Sequence, residues 1–224
     1  LIYEPVQGAG ATTPPDDYFN GLTDLTREHD ILLIADEIAT FARLGTWLAS
    51  ETFRVKPDIV TLGKGLSNGI GPVGATVLSP QVYEGLGTHD IGTKDFGETL
   101  AWTPLLAAVG LHVLTTIEQN DLLKNGPEYG KLIRETLNAR LNEVRIGVEG
   151  LGGISRLDFG DFLIARRVSL ALMNEGYFNY STQGCIYVEP TLVGSSVDYD
   201  ELGRVVKDTF EKDQERVARV QQRR

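Results

Sequence analysis

The stretch Leu32-Leu33-Ile34-Ala35-Asp36-Glu37-Ile38 decides how the rest of the chain is read. Ile31 to Ala35 is an unbroken apolar run, the pattern of a strand covered on both faces, as strands of parallel sheets are. Two acids close it, and a carboxylate pair ending an apolar strand is costly unless something partners it. Side chains alternate along a strand, so Asp36 and Ile38 share one side and Glu37 takes the other. Upstream, Leu1–Val6 is a short apolar run followed by the loop Gln7-Gly8-Ala9-Gly10. Thr13-Pro14-Pro15-Asp16-Asp17 then reads as a helix start, with a Thr cap, prolines in the first turn and acids near the positive end of the dipole. Tyr18, Leu22 and Leu25 recur at helical spacing up to about His29. Strand, helix and strand with short links form a βαβ unit, which implies a parallel sheet.

Downstream, Ile59–Leu62 and Ala75–Leu78 read as two further buried strands, the first running directly into Gly63-Lys64-Gly65. Leu105, Ala108, Val109, His112 and Val113 outline a buried helix from Pro104 to about Glu118. A second helix lies within Leu122–Val144, marked by Leu123, Leu132, Leu137 and Leu141. The turn Gly150–Gly153 leads to a strand over Ile154–Phe159. A helix over Phe162–Glu175, a strand over Ile186–Val188 and a charged helix from Tyr199 complete the pattern. The expected class is α/β, with a mainly parallel sheet in residues 1–120 and a smaller α+β domain in residues 121–224.

Composition narrows the function. Of 224 residues, 42% are hydrophobic and 23% charged, ordinary values for a chain that buries a core. The formal charge of −10 disfavours nucleic-acid and anionic-membrane partners. Cys185 is the only cysteine, which excludes an internal disulfide framework and any cysteine-rich zinc site. No apolar run approaches the roughly 18 residues of a spanning helix, and the expected location is cytoplasmic. The chain opens on Leu1, inside an expected strand, and Met173 is its only methionine, so a longer parent polypeptide is expected. His29, His89 and His112 have no metal-ligand spacing, no metal is expected, and His112 is read as a core histidine. A phosphate-binding loop fails twice around Lys64, because position 58 is Asp and position 65 is Gly. No G-x-S-x-G occurs, and Trp47 and Trp102 read as packing residues.

In open α/β sheets, ligands collect at the carboxyl ends of the strands. Taken singly, a lysine after a strand is usually solvated and an aspartate there is usually a turn residue. Jointly, Asp36 and Lys64 interrupt apolar strands at what reads as one sheet edge, with glycines allowing close approach to the lysine backbone. A lysine desolvated there has a lowered pKa and forms a Schiff base with an aldehyde. Pyridoxal phosphate offers that aldehyde, and its ring nitrogen calls for a carboxylate partner.

At this point the chain resembles a known family. Glu4-Pro5-Val6-Gln7-Gly8-Ala9-Gly10, Leu32–Ile38 and Pro57-Asp58-Ile59-Val60-Thr61-Leu62-Gly63-Lys64-Gly65 look like successive signatures of the class III (subgroup II) pyridoxal-phosphate aminotransferases of fold type I. The resemblance covers this whole chain but about the second half of a family member. It implies that Lys64 holds the cofactor and shuttles a proton, that Asp36 pairs with the pyridine nitrogen, and that Ile38 packs on the ring. Glu98-Thr99-Leu100-Ala101-Trp102-Thr103-Pro104 is similar to the family's Thr-Phe-x-x-x-Pro segment, which implies that Thr99 reaches the cofactor phosphate of a neighbouring subunit in a homodimer.

The departures from the family pattern carry information too. Many members have Glu where this chain has Ala9 and Arg where it has Tyr187, a pair that admits a second carboxylate. Losing both avoids leaving one charge unpaired. With Ala39 in place of a Gln, Ala9 and Tyr187 look closer to diaminopelargonate and amine–pyruvate transaminases, although no arginine lies between Asn174 and Thr191 to clamp a carboxylate. Ala9 and Tyr187 are therefore the substrate-pocket candidates, for a substrate handled by its amine or ketone end. The family's glycine between Thr40 and Phe41 is missing, which changes the register of a tight turn. The implied activity is ping-pong transfer of an amino group from an amine donor to a ketone or aldehyde acceptor. An aminomutase or decarboxylase of the same fold, and a non-catalytic fragment without the family's upstream phosphate-binding half, are the alternatives.

Overall fold

Two parallel strand pairings set up the first sheet of the computed structural model, which describes residues 1–15, 17–87, 103–194 and 197–221. β1 (Ile2–Tyr3) pairs with β2 (Ile34–Asp36), and β2 pairs with β3 (Ile59–Leu62); β4 (Ala75–Leu78) closes the order β1-β2-β3-β4 antiparallel to β3. The helices of this part are α1 (Tyr18–Glu28), α2 (Ala49–Thr52), α3 (Pro80–Gly87) and α4 (Pro104–Gln119). The chain divides into two compact units. Leu1–Gln7 and Thr13–Lys124 form the first, and Gly8–Thr12 and Asn125–Arg224 form the second.

The core of the first unit gathers Tyr3, Phe19, Leu22, Leu33, Ala35, Val55 and Val60. Helix α1 begins at Tyr18 rather than at Thr13, and its buried stripe is Phe19, Leu22 and Thr26, whereas Tyr18 and Leu25 are exposed. Phe19 wins the inward position by packing against the tilted ring of Phe53 at 4.3 Å and meeting the edge of Tyr3. The strand β2 is shorter than its apolar run: Leu33 and Ala35 are buried, but Ile31 and Leu32 precede the strand and are exposed. β4 is an edge, with Ala75, Thr76 and Val77 exposed. Helix α4 buries only Gly110, Val113 and Ile117, and Leu105, Leu111 and His112 are exposed. These corrections share one cause. An apolar run states which residues can be covered, and burial follows only where another element lies against that face.

The second unit contains α5 (Asn125–Leu141), β5 (Gly147–Leu151), β6 (Ile154–Asp158), α6 (Phe162–Asn174), β7 (Tyr180–Thr182), β8 (Cys185–Val188) and α7 (Tyr199–Gln221). Its sheet is antiparallel throughout, in the order β5-β6-β8-β7. One sheet face, carrying Val148, Leu157 and Ile186, packs with Ile133, Leu137 and Leu141 of α5, Val168 and Leu172 of α6, and Leu202 and Val206 of α7. Asp161 caps α6 by accepting from Leu163 N and Ile164 N at 2.7 and 2.9 Å, satisfying donors that the helix itself cannot. Helix α5 meets the β5–β6 turn at Gly130, and Arg134 Nη1 donates to Gly152 O at 3.0 Å.

Candidate active site

Asp36 ends β2 in register with Thr61 of β3, and Lys64 follows three residues beyond Thr61 as the first residue of a 3-10 turn, Lys64–Leu66. Neighbouring strands lie about 4.8 Å apart, so the two residues close the same carboxyl edge of adjacent parallel strands. Asp36 is half-buried, and its Oδ1 accepts from Ile38 N at 3.1 Å, which fixes the carboxylate against its own main chain. The γ carbons of Ile38 lie 3.6 and 3.7 Å from where a β-carbon on Gly63 would stand. On the other side of the lysine, the same construction at Gly65 meets Phe41 O at 3.4 Å and the Phe41 ring at 3.5 Å. The loop after β2 therefore lies along the Gly-Lys-Gly segment, bringing Asp36, Ile38 and Lys64 to one edge.

Lys64 itself has φ +40°, a left-handed conformation that costs a non-glycine residue about 1 kcal/mol. Hydrogen bonds from Leu66 N to Gly63 O and from Asn68 N to Lys64 O hold the turn. The side chain is exposed. The burial expected of this lysine is thus not supplied by the described residues. Thr61, half-buried and in register with Asp36, has a buried hydroxyl with no hydrogen-bond partner among the described residues.

Glu37 is completely buried and solves the charge problem posed by the acid pair. Its Oε2 accepts from Ala49 N at 2.9 Å and from the Thr40 hydroxyl; its Oε1 accepts from Ser50 N at 2.7 Å and Ser50 Oγ at 2.6 Å. These hydrogen bonds to one carboxylate staple the loop 38–48 shut at both ends. Tyr3 joins the cluster through Ser50 Oγ at 3.2 Å, and burial pushes its hydroxyl up to about 12. The turn after Glu37 closes through Thr40 N and Phe41 N on Glu37 O, with Ala42 taking the left-handed conformation and Phe41 stacking on Trp47. No sequence signal identifies Glu37 as the anchor, since its donors are main-chain groups 12 and 13 residues away.

The other two candidates meet in the second unit. Tyr187 of β8 donates to Gly8 O at 2.5 Å and accepts from Gly10 N, bracketing the exposed Ala9. Burial raises the Tyr187 hydroxyl above the ordinary phenol range. Thr99 and Trp102 lie outside the described residues. His112 is exposed on α4, not in the core, because α4 turns its Gly110–Val113–Ile117 stripe inward. Among the described residues, no cluster of three or more His, Cys, Asp or Glu side chains is arranged to hold a metal ion, and no helix is long and apolar enough to cross a membrane.

One parallel sheet edge thus carries an aspartate and a glycine-flanked lysine. Comparison with known proteins gives the family: the model of the class-III aminotransferases matches residues 1–210. The chain belongs to the class-III aminotransferase family. It is 30% identical over 221 residues to the uncharacterized aminotransferase y4uB of Sinorhizobium fredii, covering 90% of this chain and 47% of that protein. It is 32% identical over 215 residues to the mitochondrial ornithine aminotransferase of Rattus norvegicus, covering 94% of this chain and 48% of that protein. Among solved structures, a transaminase from the marine bacterium Virgibacillus superposes with a TM-score of 0.88 at 28% identity, covering 96% of this chain and 53% of that one. The chain spans about half the length of these relatives. Both the family and the superposition support a fold of type I.

Proposed function

We propose that this chain supplies the lysine-bearing part of a pyridoxal-phosphate-dependent aminotransferase, which moves an amino group from an amine donor to a ketone or aldehyde acceptor in two alternating half-reactions. One observation carries the proposal: Asp36 and Lys64 close neighbouring parallel strands at the same edge. The residues present fit the cofactor. Thr61 offers an unsatisfied buried hydroxyl in register with Asp36, and Ile38 lies against Gly63 beside the lysine. Pyridoxal phosphate, when bound, supplies an aldehyde for the substrate amine and a protonated ring that draws electrons from the bond being broken.

The protein's share of the work follows from its own groups. Lys64 Nζ would hold the cofactor and then carry the proton removed from the substrate carbon. The Asp36 carboxylate, already oriented through Oδ1 by Ile38 N–H, would keep a proton on the ring nitrogen. Ile38 would pack on the ring. We further propose that residues 1–120 belong to the large cofactor-binding domain and residues 121–224 to the small one. A homodimer in which Thr99 reaches the neighbouring subunit's phosphate is supported by the resemblance of Glu98–Pro104 to the family segment. A cytoplasmic location rests on composition, with one cysteine in 224 residues.

The test is reconstitution of the full-length protein with pyridoxal phosphate. The yellow absorbance band of covalently held cofactor is expected in the parent protein and absent in Lys64→Ala. An amine donor alone should convert the cofactor to its amine form, which separates transfer from mutase and decarboxylase outcomes. A band that survives Lys64→Ala would overturn the assignment.

A further inference from the structure

Thr61 is the middle residue of a polar row that crosses the first sheet near its carboxyl edge. It stands in register with Asp36 of β2 on one side and with Thr76 of β4 on the other. Ala35 and Val60, one residue earlier on each parallel strand, lie in the core. Side chains alternate along a strand, so Asp36 and Thr61 share the opposite face. The pair is pinned at its backbone, because Glu37 N donates to Thr61 O at 3.0 Å. Neighbouring strands run about 4.8 Å apart, a gap that a hydroxyl and a carboxylate can bridge with one hydrogen bond.

The hydroxyl does not make that bond in this structure. Thr61 Oγ1 is buried with no hydrogen-bond partner among the described residues, while Asp36 Oδ1 accepts from Ile38 N at 3.1 Å. A buried hydroxyl left without a partner destabilises a fold, and a methyl group of the same shape would not. Other buried hydroxyls of this unit are satisfied: Thr40 and Ser50 donate to Glu37, and Thr26 donates to Leu22 O. Among the described residues of the unit Thr61 is the exception, and it is the one in register with Asp36.

We infer that Thr61 is a positioning residue whose hydroxyl serves as a second donor to the Asp36 carboxylate once that carboxylate engages the ring of a bound cofactor. The inference deepens the proposed function and rests on it. Ile38 N holds one oxygen of Asp36, the ring nitrogen calls for the other, and a donor from β3 fixes the plane of the carboxylate between them. Thr61 acts through Asp36 and does not touch the reacting atoms. The unpaired hydroxyl therefore weakens the cofactor-free protein, and the hydrogen bond it forms strengthens the loaded one.

Thr61→Val removes the hydroxyl at nearly constant shape and separates the two effects in the full-length protein. Without cofactor, the urea midpoint of this variant is expected to rise by about 0.3 M or more. Its dissociation constant for pyridoxal phosphate, titrated on the same preparation, is expected to rise about tenfold or more. Thr61→Ser keeps the donor and should hold that constant within about threefold of the parent value. Thr76→Val, on the exposed neighbour in the row, reads strand preference alone and should leave the affinity unchanged. A threonine that merely packs would not move stability and affinity in opposite senses. Unchanged affinity in Thr61→Val, or a loss that Thr61→Ser does not reverse, overturns the inference and leaves the proposed function standing. A cofactor-free midpoint that rises no further in Thr61→Val than in Thr76→Val overturns it as well. A parent protein that binds no pyridoxal phosphate overturns the proposed function, and the inference falls with it.

Discussion

At Glu37 the two carboxylate oxygens each face a main-chain N–H, Ala49 on one side and Ser50 on the other. An amide placed there has no good orientation, because its NH2 meets one of those fixed donors whichever way it is turned. Glu37→Gln is therefore expected to lower stability by about 2–3 kcal/mol, seen as a lower urea midpoint. Tyr3 adds a pH dependence. Burial favours its neutral form in the folded chain, so its contribution is full below pH 10 and is lost as pH rises through about 12. Urea midpoints measured across that window should fall less steeply in Tyr3→Phe than in the parent. That Asp36 and Lys64 close neighbouring strands was legible from the sequence, because ionisable groups that end apolar runs are conspicuous. Glu37 sits on the same acid pair and was not, because its role depends on a loop returning from Ala49 and Ser50. The left-handed φ of Lys64 and its exposure were equally invisible.

Among the elements, helix–turn contact is the most sensitive packing in the second unit. A β-carbon on Gly130 would stand 1.8 Å from Gly152 O, and neither main chain can yield without moving α5 off the β5–β6 turn. Gly130→Ala is expected to cost at least about 3 kcal/mol, near the top of the usual range for overpacking. On α1, by contrast, a β-carbon at the exposed Gly21 meets nothing within 4 Å, so Gly21→Ala should stabilise by about 0.5–1 kcal/mol through helix propensity. Thermal melts of the two variants should move in opposite directions. Periodicity located α5, α6 and α7, whose apolar stripes find partners, but it missed β5 and β7. Gly147-Val148-Glu149-Gly150-Leu151 and Tyr180-Ser181-Thr182 are poor in apolar residues, and their pairing with β6 and β8 is what makes them strands. It also overstated α4 and β4, whose exposed faces carry as much apolar character as their buried ones.

For the whole molecule, the absence of charge at Ala9 and Tyr187 sets an expectation about substrates. In a screen of amino donors with the full-length protein, simple amines should outperform glutamate in kcat/KM; a wide margin in favour of glutamate would reject the reading of these two positions. The two units part between Lys124 and Asn125, with one exception. Gly8–Thr12 belongs to the second unit although its neighbours on both sides belong to the first, and no composition signal marks the crossing. The chain thus visits its C-terminal unit twice. A cut between Lys124 and Asn125 would leave the downstream piece with Tyr187 stripped of Gly8 O and Gly10 N. Anyone wishing to graft or exchange that module among homologues must transplant the upstream pentapeptide Gly8–Thr12 along with it.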